Sequence, residues 1–275
     1  MTSNAKLKSS IDKLKNALNN YSLDEIRYAR DLIDKVPLRC YHKLKEIDEK
    51  FNVCRDVDTF VDLCGGPGQF AKYVFSTNPD CVGYGVTLRN DCDYTFDHKR
   101  FRKIYGCFDS GNIFDANVMF ELMYFCRKRC NLVVADGAFD VSGRENDQET
   151  LTLSLLRKEC YIILEVLRAG GNCVLKIFDT FNRATISLLQ SFIANFDEFY
   201  FYKPTHSRAA NSEKYLVCKG RLETPVGIVS RRHFDACTRQ FGVKQKRALQ
   251  QLLNILKNER HARSSSSAEP FQKCG

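Results

Sequence analysis

Two charged residues lie where the sequence otherwise predicts buried β-strands. Asp136 ends the run NLVVAD, and Lys176 lies inside NCVLKIF. An unpaired charge inside an apolar strand costs several kcal/mol, so each residue is expected to have a partner. A structural ion pair between the two would satisfy this requirement. So would a catalytic pair, in which a carboxylate orients a lysine that moves a proton.

A glycine-rich stretch, TFVDLCGGPGQFAKYV at 59–74, predicts a ligand-binding turn between a strand and a helix. Ligands of open α/β sheets bind at the carboxyl ends of the strands, and glycine lets the backbone approach a bound group without interference from a Cβ atom. The stretch lacks the G-x-G-x-x-G spacing of dinucleotide-binding loops, and Pro67 removes an N–H that a pyrophosphate would need, so NAD is disfavoured. A tight turn without a ligand is the alternative.

These residues require a sheet whose strands end at one edge. From residue 59 onward, short apolar runs alternate with longer helical periods, which predicts an α/β fold with a mostly parallel sheet and helices on both faces. One long helix is predicted over 146–168, ended by Gly170 and Gly171, and another over 184–195. The last two strands, EFYFYK and KYLVCKG, are close enough in the chain to pair antiparallel.

The two ends of the chain differ from this central region. Residues 1–36 carry apolar positions at helical spacing and predict one or two amphipathic helices, the second ending before Pro37. Residues 37–222 are the predicted α/β domain, and 223–263 are a basic helical extension. Residues 264–275, with the run SSSSAEP, are expected to be disordered.

The composition predicts a soluble intracellular protein, in the nucleus or the cytoplasm. Lys and Arg outnumber Asp and Glu by 42 to 33 in 275 residues, a formal charge of +9, which favours a polyanionic partner such as nucleic acid. The 13 cysteines are scattered, and the sequence shows no signal peptide or membrane-spanning run, so reduced thiols are expected. No metal site is predicted, because C-x-x-C pairs are absent and Cys126 and Cys130 have no histidine nearby.

The segment VDLCGGPGQF resembles the first motif of FtsJ-like, Rossmann-type methyltransferases, whose D-x-C/G-x-G/A-P-G-G-F loop holds the methionine part of S-adenosylmethionine. This chain has Gln69 in place of the family's second glycine, a change that a first helical residue can tolerate. VVADGAFDVSGRENDQE, GGNCVLKIFDTF and KPTHSRAANSEKYLVCKG resemble later motifs of the eukaryotic and viral enzymes that methylate the first ribose after an mRNA cap. The resemblance covers 37–222 and implies a Rossmann-like class I fold with a seven-stranded sheet.

The resemblance also implies a Lys–Asp–Lys–Glu tetrad, whose members fall at Lys43, Asp136, Lys176 and Glu213. A ribose hydroxyl would attack the methyl group of a sulfonium, with Lys176 as the base or hydroxyl-orienting group, Asp136 positioning its amine, and the other two as supports. A lysine with an ordinary pKa of about 10.4 is a poor base at neutral pH. The pKa of Lys176 is therefore expected to be lowered by burial, by Lys43 and by the cationic cofactor, against the opposite effect of Asp136 and Glu213.

The same resemblance places S-adenosyl-L-methionine and capped RNA on particular residues. The implied cofactor-binding residues are Asp62, Cys64, Gly65, Gly66, Pro67, Gly68, Gln69, Phe70, Thr87, Asn112, Ile113 and Asp136. The implied substrate-binding residues are Arg39, Glu145, Asn146, Ser207, Arg208 and Asn211. Each of three assignments has an alternative without a ligand. Asn112 could be a turn residue, Asn146 a helix cap and Arg39 a solvated side chain. The basic segments 231–247 and 257–263 either follow the RNA backbone or form a solvated helix face.

The expected function is methylation of the ribose 2′-hydroxyl of the first transcribed nucleotide of capped mRNA (cap 0 to cap 1), with S-adenosylmethionine as cofactor and without a metal or membrane. The expected partners are the capped mRNA 5′ end and other capping or transcription enzymes. The compact chain resembles viral family members, in particular those of insect large DNA viruses (baculoviruses). A ribosomal or transfer RNA 2′-O-methyltransferase is one alternative. A non-catalytic RNA-binding subunit is the other, and the four charged residues of the tetrad count against it.

Overall fold

The structure is a computed structural model that describes residues 2–33, 39–139, 141, 143–227 and 230–266. Its strands are β1 (Thr59–Leu63), β2 (Val82–Val86), β3 (Phe101–Ile104), β4 (Cys130–Ala135), β5 (Leu167–Ile177), β6 (Phe196–Tyr202) and β7 (Lys214–Arg221). Its helices are α1 (Ser3–Leu18), α2 (Leu23–Ile33), α3 (Arg39–Phe51), α4 (Gln69–Thr77), α5 (Ala116–Cys126), α6 (Gln148–Leu151), α7 (Leu153–Val166), α8 (Arg183–Ile193) and α9 (Arg231–Ser266).

The strands form one seven-stranded sheet in the order β3-β2-β1-β4-β5-β7-β6. The first five strands along the chain pair parallel, because a helix or loop returns the chain across the sheet after each of them. β7 runs antiparallel to both of its neighbours. The predicted α/β architecture and the antiparallel pairing of the last two strands are thereby confirmed.

Both faces of the sheet are covered by helices. α5, α7 and α8 contribute to one apolar core, in which Val133, Ile162 and Leu189 are fully buried. α3 and α4 contribute to the core on the other face, with Leu44 and Phe60. All six residues of β4 are buried, which explains why its sequence is a continuous apolar run rather than an alternating one.

The predicted helix over 146–168 is wrong in its extent. Two helices, α6 and α7, occupy this region, and α7 ends at Val166, where β5 begins directly. Gly170 and Gly171 therefore lie within β5 and do not end a helix. Gly170 has a φ of 76°, and the pairing of β4 with β5 jumps from Leu167 to Asn172 at this point, so the glycines accommodate a bulge in the strand.

Three elements of the domain were not predicted: α3, β3 and α5. The sequence of β3 is FRKI, in which two of four residues are cationic. Cationic residues are common on exposed edge strands, but they interrupt the apolar run by which a strand is recognised in a sequence. The side chains of Phe120 and Tyr124 on α5 are 77% and 70% exposed, which blurs the amphipathic pattern of that helix.

The two terminal extensions pack against each other. α1 and α2 lie in the N-terminal region for which amphipathic helices were predicted, and the long helix α9 lies in the basic C-terminal region. A third apolar core joins them, formed by Ile11, Leu18, Ile26, Ala29, Leu249, Leu252, Leu253 and Leu256. Pro37 and the tail beyond residue 266 lie outside the described residues. No helix of the described chain is long and apolar enough to cross a membrane.

Candidate active site

The fold delivers the four tetrad residues to one edge of the sheet. Asp136 directly follows β4, and Lys176 is the penultimate residue of β5, so the parallel strands end side by side. Glu213 directly precedes β7, whose antiparallel direction makes it begin at the edge where β5 ends. Lys43 comes from α3, which packs on the adjoining face.

The tetrad consists of two ion pairs. Lys176 Nζ lies 3.2 Å from Asp136 Oδ1, and Lys43 Nζ lies 2.7 Å from Glu213 Oε1. The two lysine side chains are only 8% and 9% exposed, so each needs the carboxylate that faces it. The structure thus gives both buried charges the partner that the sequence required, and it places the two remaining tetrad residues beside them.

Two hydroxyl groups hold the carboxylates in place. The Tyr215 hydroxyl donates to Asp136 Oδ1 at 2.7 Å, the oxygen that also faces Lys176. Tyr215 is the cross-strand partner of Lys176 in the pairing of β5 with β7, and it is fully buried. On the other side of the tetrad, Ser207 Oγ donates to Glu213 Oε1 at 2.8 Å. Sequence reasoning missed Tyr215, although it follows Glu213 by two positions in the motif that carried the resemblance.

Glu46 fixes the position of α3, and with it that of Lys43 one turn earlier. Its carboxylate accepts hydrogen bonds from the Tyr202 hydroxyl at 2.6 Å and the Thr205 amide at 2.9 Å, and His206 Nδ1 lies 2.9 Å away. Burial alone would raise the pKa of Glu46, but these hydrogen bonds lower it to about 2. Glu46 therefore stays ionised at neutral pH and ties α3 to the loop that carries Ser207.

The electrostatics of Lys176 and Glu213 favour their charged forms. Burial acts to lower the pKa of Lys176, but the negative charges of Asp136 and Glu213 outweigh it and raise that pKa above its usual value. Burial would raise the pKa of Glu213, but Lys43 and Lys176 lower it. The expected lowering of the Lys176 pKa is therefore wrong for the chain by itself, because the charges of Asp136 and Glu213 outweigh the effect of burial.

A further acid, Glu159 on α7, lies beneath this cluster. It is 2% exposed, and its Oε1 atom has no hydrogen-bond partner among the described residues. Burial raises its pKa to about 8, against the opposing effect of the Lys176 charge. A Cβ atom at Gly137 would lie 2.3 Å from Glu159 Oε1, so the residue after Asp136 must be small. The signal in the sequence was a glutamate among the apolar positions of LSLLRKECYIILEV.

The glycine-rich loop lies next to the tetrad, between β1 and α4. A Cβ atom at Gly66 would lie 1.6 Å from the Cys92 carbonyl oxygen, so the loop and the segment after β2 are in backbone contact. Gly68 has a φ of 102°, which glycine adopts readily, and it precedes α4. Gln69 is the first residue of α4, as expected, and Phe70 is buried behind the loop.

Asp62, at the end of β1, is the most unusual residue of this region. It is fully buried, and neither of its carboxyl oxygens has a hydrogen-bond partner in the part of the chain that the structure describes. Burial, together with the nearby Asp136 charge, raises its pKa well above the usual value. A Cβ atom at Gly65 would lie 2.1 Å from the carboxyl carbon, so this carboxyl group packs directly against the loop.

The predicted adenosine residues meet at the ends of β2 and β3. A Cβ atom at Gly111 would lie 1.8 Å from the Thr87 carbonyl oxygen, so the two loops touch. The Asn112 side-chain oxygen accepts from the Phe114 amide at 3.0 Å, a local turn contact. The Ile113 side chain is 4% exposed and belongs to the core.

Three of the residues predicted to bind the cap, Glu145, Asn146 and Asn211, lie beside the N-terminal helices. Asn146 donates to the side-chain oxygen of Asn16 on α1 at 2.6 Å, and Lys15 donates to the Glu145 carbonyl oxygen at 3.1 Å. A cavity of about 450 Å³ lies here, with Glu145 and Asn211 in its lining. Ser207 instead supports Glu213, Arg208 is partly buried, and the side chain of Arg39 lies outside the described structure. No group of metal-ligating side chains occurs among the described residues.

Sequence comparisons agree with this architecture. The model of the FtsJ-like methyltransferase family matches residues 37–221, and the chain belongs to this family of Rossmann-type methyltransferases. A cap-specific mRNA (nucleoside-2′-O-)-methyltransferase of Autographa californica nuclear polyhedrosis virus is 46% identical over 91% of this chain and 99% of its own length. The resemblance to the family and to its baculovirus members is thereby confirmed.

Two eukaryotic relatives match over a smaller part of their length. A cap-specific mRNA (nucleoside-2′-O-)-methyltransferase 1 of Trypanosoma cruzi is 38% identical over 68% of this chain and 57% of its own length. The protein of the same name from Mus musculus is 35% identical over 60% of this chain and 22% of its own length.

Proposed function

We propose that this protein transfers a methyl group from S-adenosylmethionine to the ribose 2′-hydroxyl of the first transcribed nucleotide of capped mRNA. The observation that carries the proposal is the pair of buried lysine–carboxylate contacts, Lys176–Asp136 and Lys43–Glu213, at the sheet edge beside the glycine-rich loop. The name of the viral relative, which this chain matches over 99% of its length, supports capped mRNA as the substrate.

The residues of the glycine-rich loop fit S-adenosylmethionine as the methyl donor. The orphaned carboxyl group of Asp62 is an acceptor that a cationic amino-acid moiety would satisfy, and it lies directly behind Gly65. The contact of Gly66 with the Cys92 carbonyl leaves no space for a side chain at this position, so the backbone is free to approach a bound group there. When bound, the cofactor supplies an electrophilic methyl group on a positively charged sulfur.

Lys176 is assigned to the ribose hydroxyl. Because its pKa is raised, Lys176 carries its proton at neutral pH and donates a hydrogen bond that orients the 2′-oxygen. Asp136 fixes the direction of this amine, and the Tyr215 hydroxyl fixes Asp136. To act also as the base, Lys176 must lose its proton, and the positive charge of a bound cofactor would lower its pKa towards that form. These titrations belong to the cluster as a whole.

The cavity beside the N-terminal helices is proposed as the site of the cap guanosine. Tyr21 and Phe139 line it together with Glu145 and Asn211. Aromatic rings can stack on a base, a carboxylate can accept from the N–H groups of guanine, and an amide can do both. Asn211 and Ser212 in its lining directly precede Glu213, so a cap held there places the first ribose near the tetrad.

Methyl transfer to matched RNAs tests the proposal. Short RNAs with an N7-methylated cap, an unmethylated cap or a 5′-triphosphate are incubated with labelled S-adenosylmethionine, and the product is mapped with nucleases. Methylation at the first ribose of the capped RNAs alone is expected. Equal activity on the triphosphate RNA would indicate a general RNA 2′-O-methyltransferase. Cofactor binding without any transfer would indicate a non-catalytic RNA-binding subunit.

A further inference from the structure

A second cavity, of about 560 Å³, lies where both terminal helices meet the α/β domain. It is lined by the first residues of α1, by the loop between β5 and α8, and by the first turns of α9. α1 and α9 lie outside residues 37–221, the segment that matches the family model. This feature, called the cationic cavity below, is therefore built largely from parts of the chain that the family motifs do not include.

The lining of the cationic cavity carries an excess of positive charge. Its charged residues are Lys8, Arg183, Arg231, Arg239 and Asp235. Asp235 is already engaged, because Asn4 donates to its Oδ1 atom at 3.2 Å and Arg231 Nε lies 3.8 Å from Oδ2. Lys8 pairs with Asp12 at 2.8 Å. Among the described residues, neither Arg183 nor Arg239 forms an ion pair with a carboxylate.

The ends of the helices add to this potential. α8 begins at Arg183, and the Glu149 carboxylate already caps its amino end, because the Phe181 and Asn182 amides donate to it at 3.1 and 2.7 Å. α1 and α9 also begin at the cavity, so the positive ends of these two helix dipoles lie near the cationic side chains. Guanidinium groups and the amino ends of helices both favour phosphate oxygens as partners.

The cationic cavity is close to the tetrad. Thr180, in its lining, follows Lys176 by four residues, which span at most about 14 Å even when fully extended. The loop between β5 and α8 also leaves the sheet at the edge where the tetrad lies. A nucleic-acid chain that leaves the tetrad towards α8 therefore meets the cavity within a few nucleotides.

We propose that the cationic cavity binds backbone phosphates of the RNA on the 3′ side of the nucleotide held at the tetrad. The proposal rests on the proposed function only for the position of that nucleotide. The two arginines that pair with no carboxylate in the described chain would each bind a phosphate and release counterions when RNA binds. The terminal helices would then increase the affinity for longer transcripts, while the α/β domain performs the reaction.

The first test measures RNA binding without catalysis. The double variant Arg183→Ala/Arg239→Ala is compared with Arg55→Ala/Lys99→Ala, which removes the same charge from exposed positions outside both the cavity and the two basic C-terminal segments. Fluorescence anisotropy with an uncapped single-stranded RNA is recorded over a range of salt concentrations. The slope of log K against log salt is expected to fall by about 0.7 for each phosphate that the variant no longer neutralises, and the control pair should keep the slope of the unmodified protein. This readout does not depend on whether the protein methylates caps.

The second test separates the cavity from the tetrad. In the variant Arg183→Ala/Arg239→Ala, KM for a long capped RNA is expected to rise roughly tenfold, while transfer to a cap dinucleotide is unchanged. The charge-preserving pair Arg183→Lys/Arg239→Lys should restore the salt slope, which distinguishes the removal of charge from a failure to fold. The proposal is overturned by an unchanged slope, by an equal loss of affinity in the control pair, or by an equal loss of activity on the cap dinucleotide. Binding of a phosphorylated peptide is measured with the same variant. If Arg183→Ala/Arg239→Ala loses binding to this peptide but keeps its affinity for RNA, the proposal is also overturned.

Discussion

Replacement of Glu159 by glutamine should change how the stability of the protein depends on pH. The carboxyl group is fully buried and keeps its proton in the folded state up to a pKa of about 8, whereas an unfolded chain releases it near 4.5. Between these values the unfolded state binds fewer protons than the folded state, so the free energy of unfolding falls as pH rises. At about 1.4 kcal/mol per pH unit, the loss attributable to Glu159 reaches about 5 kcal/mol by pH 8.

Glutamine has the shape of the protonated acid and does not titrate. Glu159→Gln should therefore match the unmodified protein at pH 5 and exceed it by several kcal/mol at pH 8. Urea unfolding at pH 5, 6.5 and 8 measures this difference, and Glu223→Gln, at an exposed position, is the matched control. A stability difference that stays constant across this range would refute the reasoning, because it would show that Glu159 is ionised in the folded protein at pH 5.

Three further predictions concern the cofactor loop, the tetrad and the terminal helices. Gly66→Ala brings a Cβ atom to 1.6 Å from the Cys92 carbonyl oxygen and should weaken the binding of S-adenosylmethionine, measured by calorimetry. The control Gly227→Ala adds a Cβ atom in open space and should leave this binding unchanged. Lys176→Met should lower kcat by about 10²–10⁴-fold with cofactor affinity retained, and near-normal turnover would contradict its assigned role. Leu252 is fully buried between α9 and the N-terminal helices, so Leu252→Ala should lower the free energy of unfolding in urea by about 2–5 kcal/mol. A loss of less than about 1 kcal/mol would show that these helices do not pack as described.

Patterns within short segments were enough to predict the fold class and to single out Asp136 and Lys176, whereas the positions of the whole tetrad came from the family resemblance. In the sequence, a buried parallel strand forms an apolar run, and a charged residue such as Asp136 directly after the run marks the end of the strand. The glycine-rich loop and the later motifs carried the family resemblance, because they are contiguous stretches of sequence. The exposed edge strand β3 and the strand at Gly170 were not predicted, since neither has a pattern that differs from a loop or a helix end.

Charged residues inside apolar runs could be recognised from the order of the residues along the chain, but the contacts of each charge depend on the folded arrangement of strands and helices. The tertiary structure brought the Tyr215 hydroxyl to Asp136 and placed Glu159 beneath Lys176. It also reversed the expected direction of the Lys176 pKa, because that direction depends on distances to carboxylates from separate strands. The contact between α1 and α9 at the cationic cavity could not be predicted from the sequence either, because the two helices lie at opposite ends of the chain. Spacing along a sequence records local periodicity, whereas burial and electrostatic potential are sums over neighbours that only the folded chain brings together.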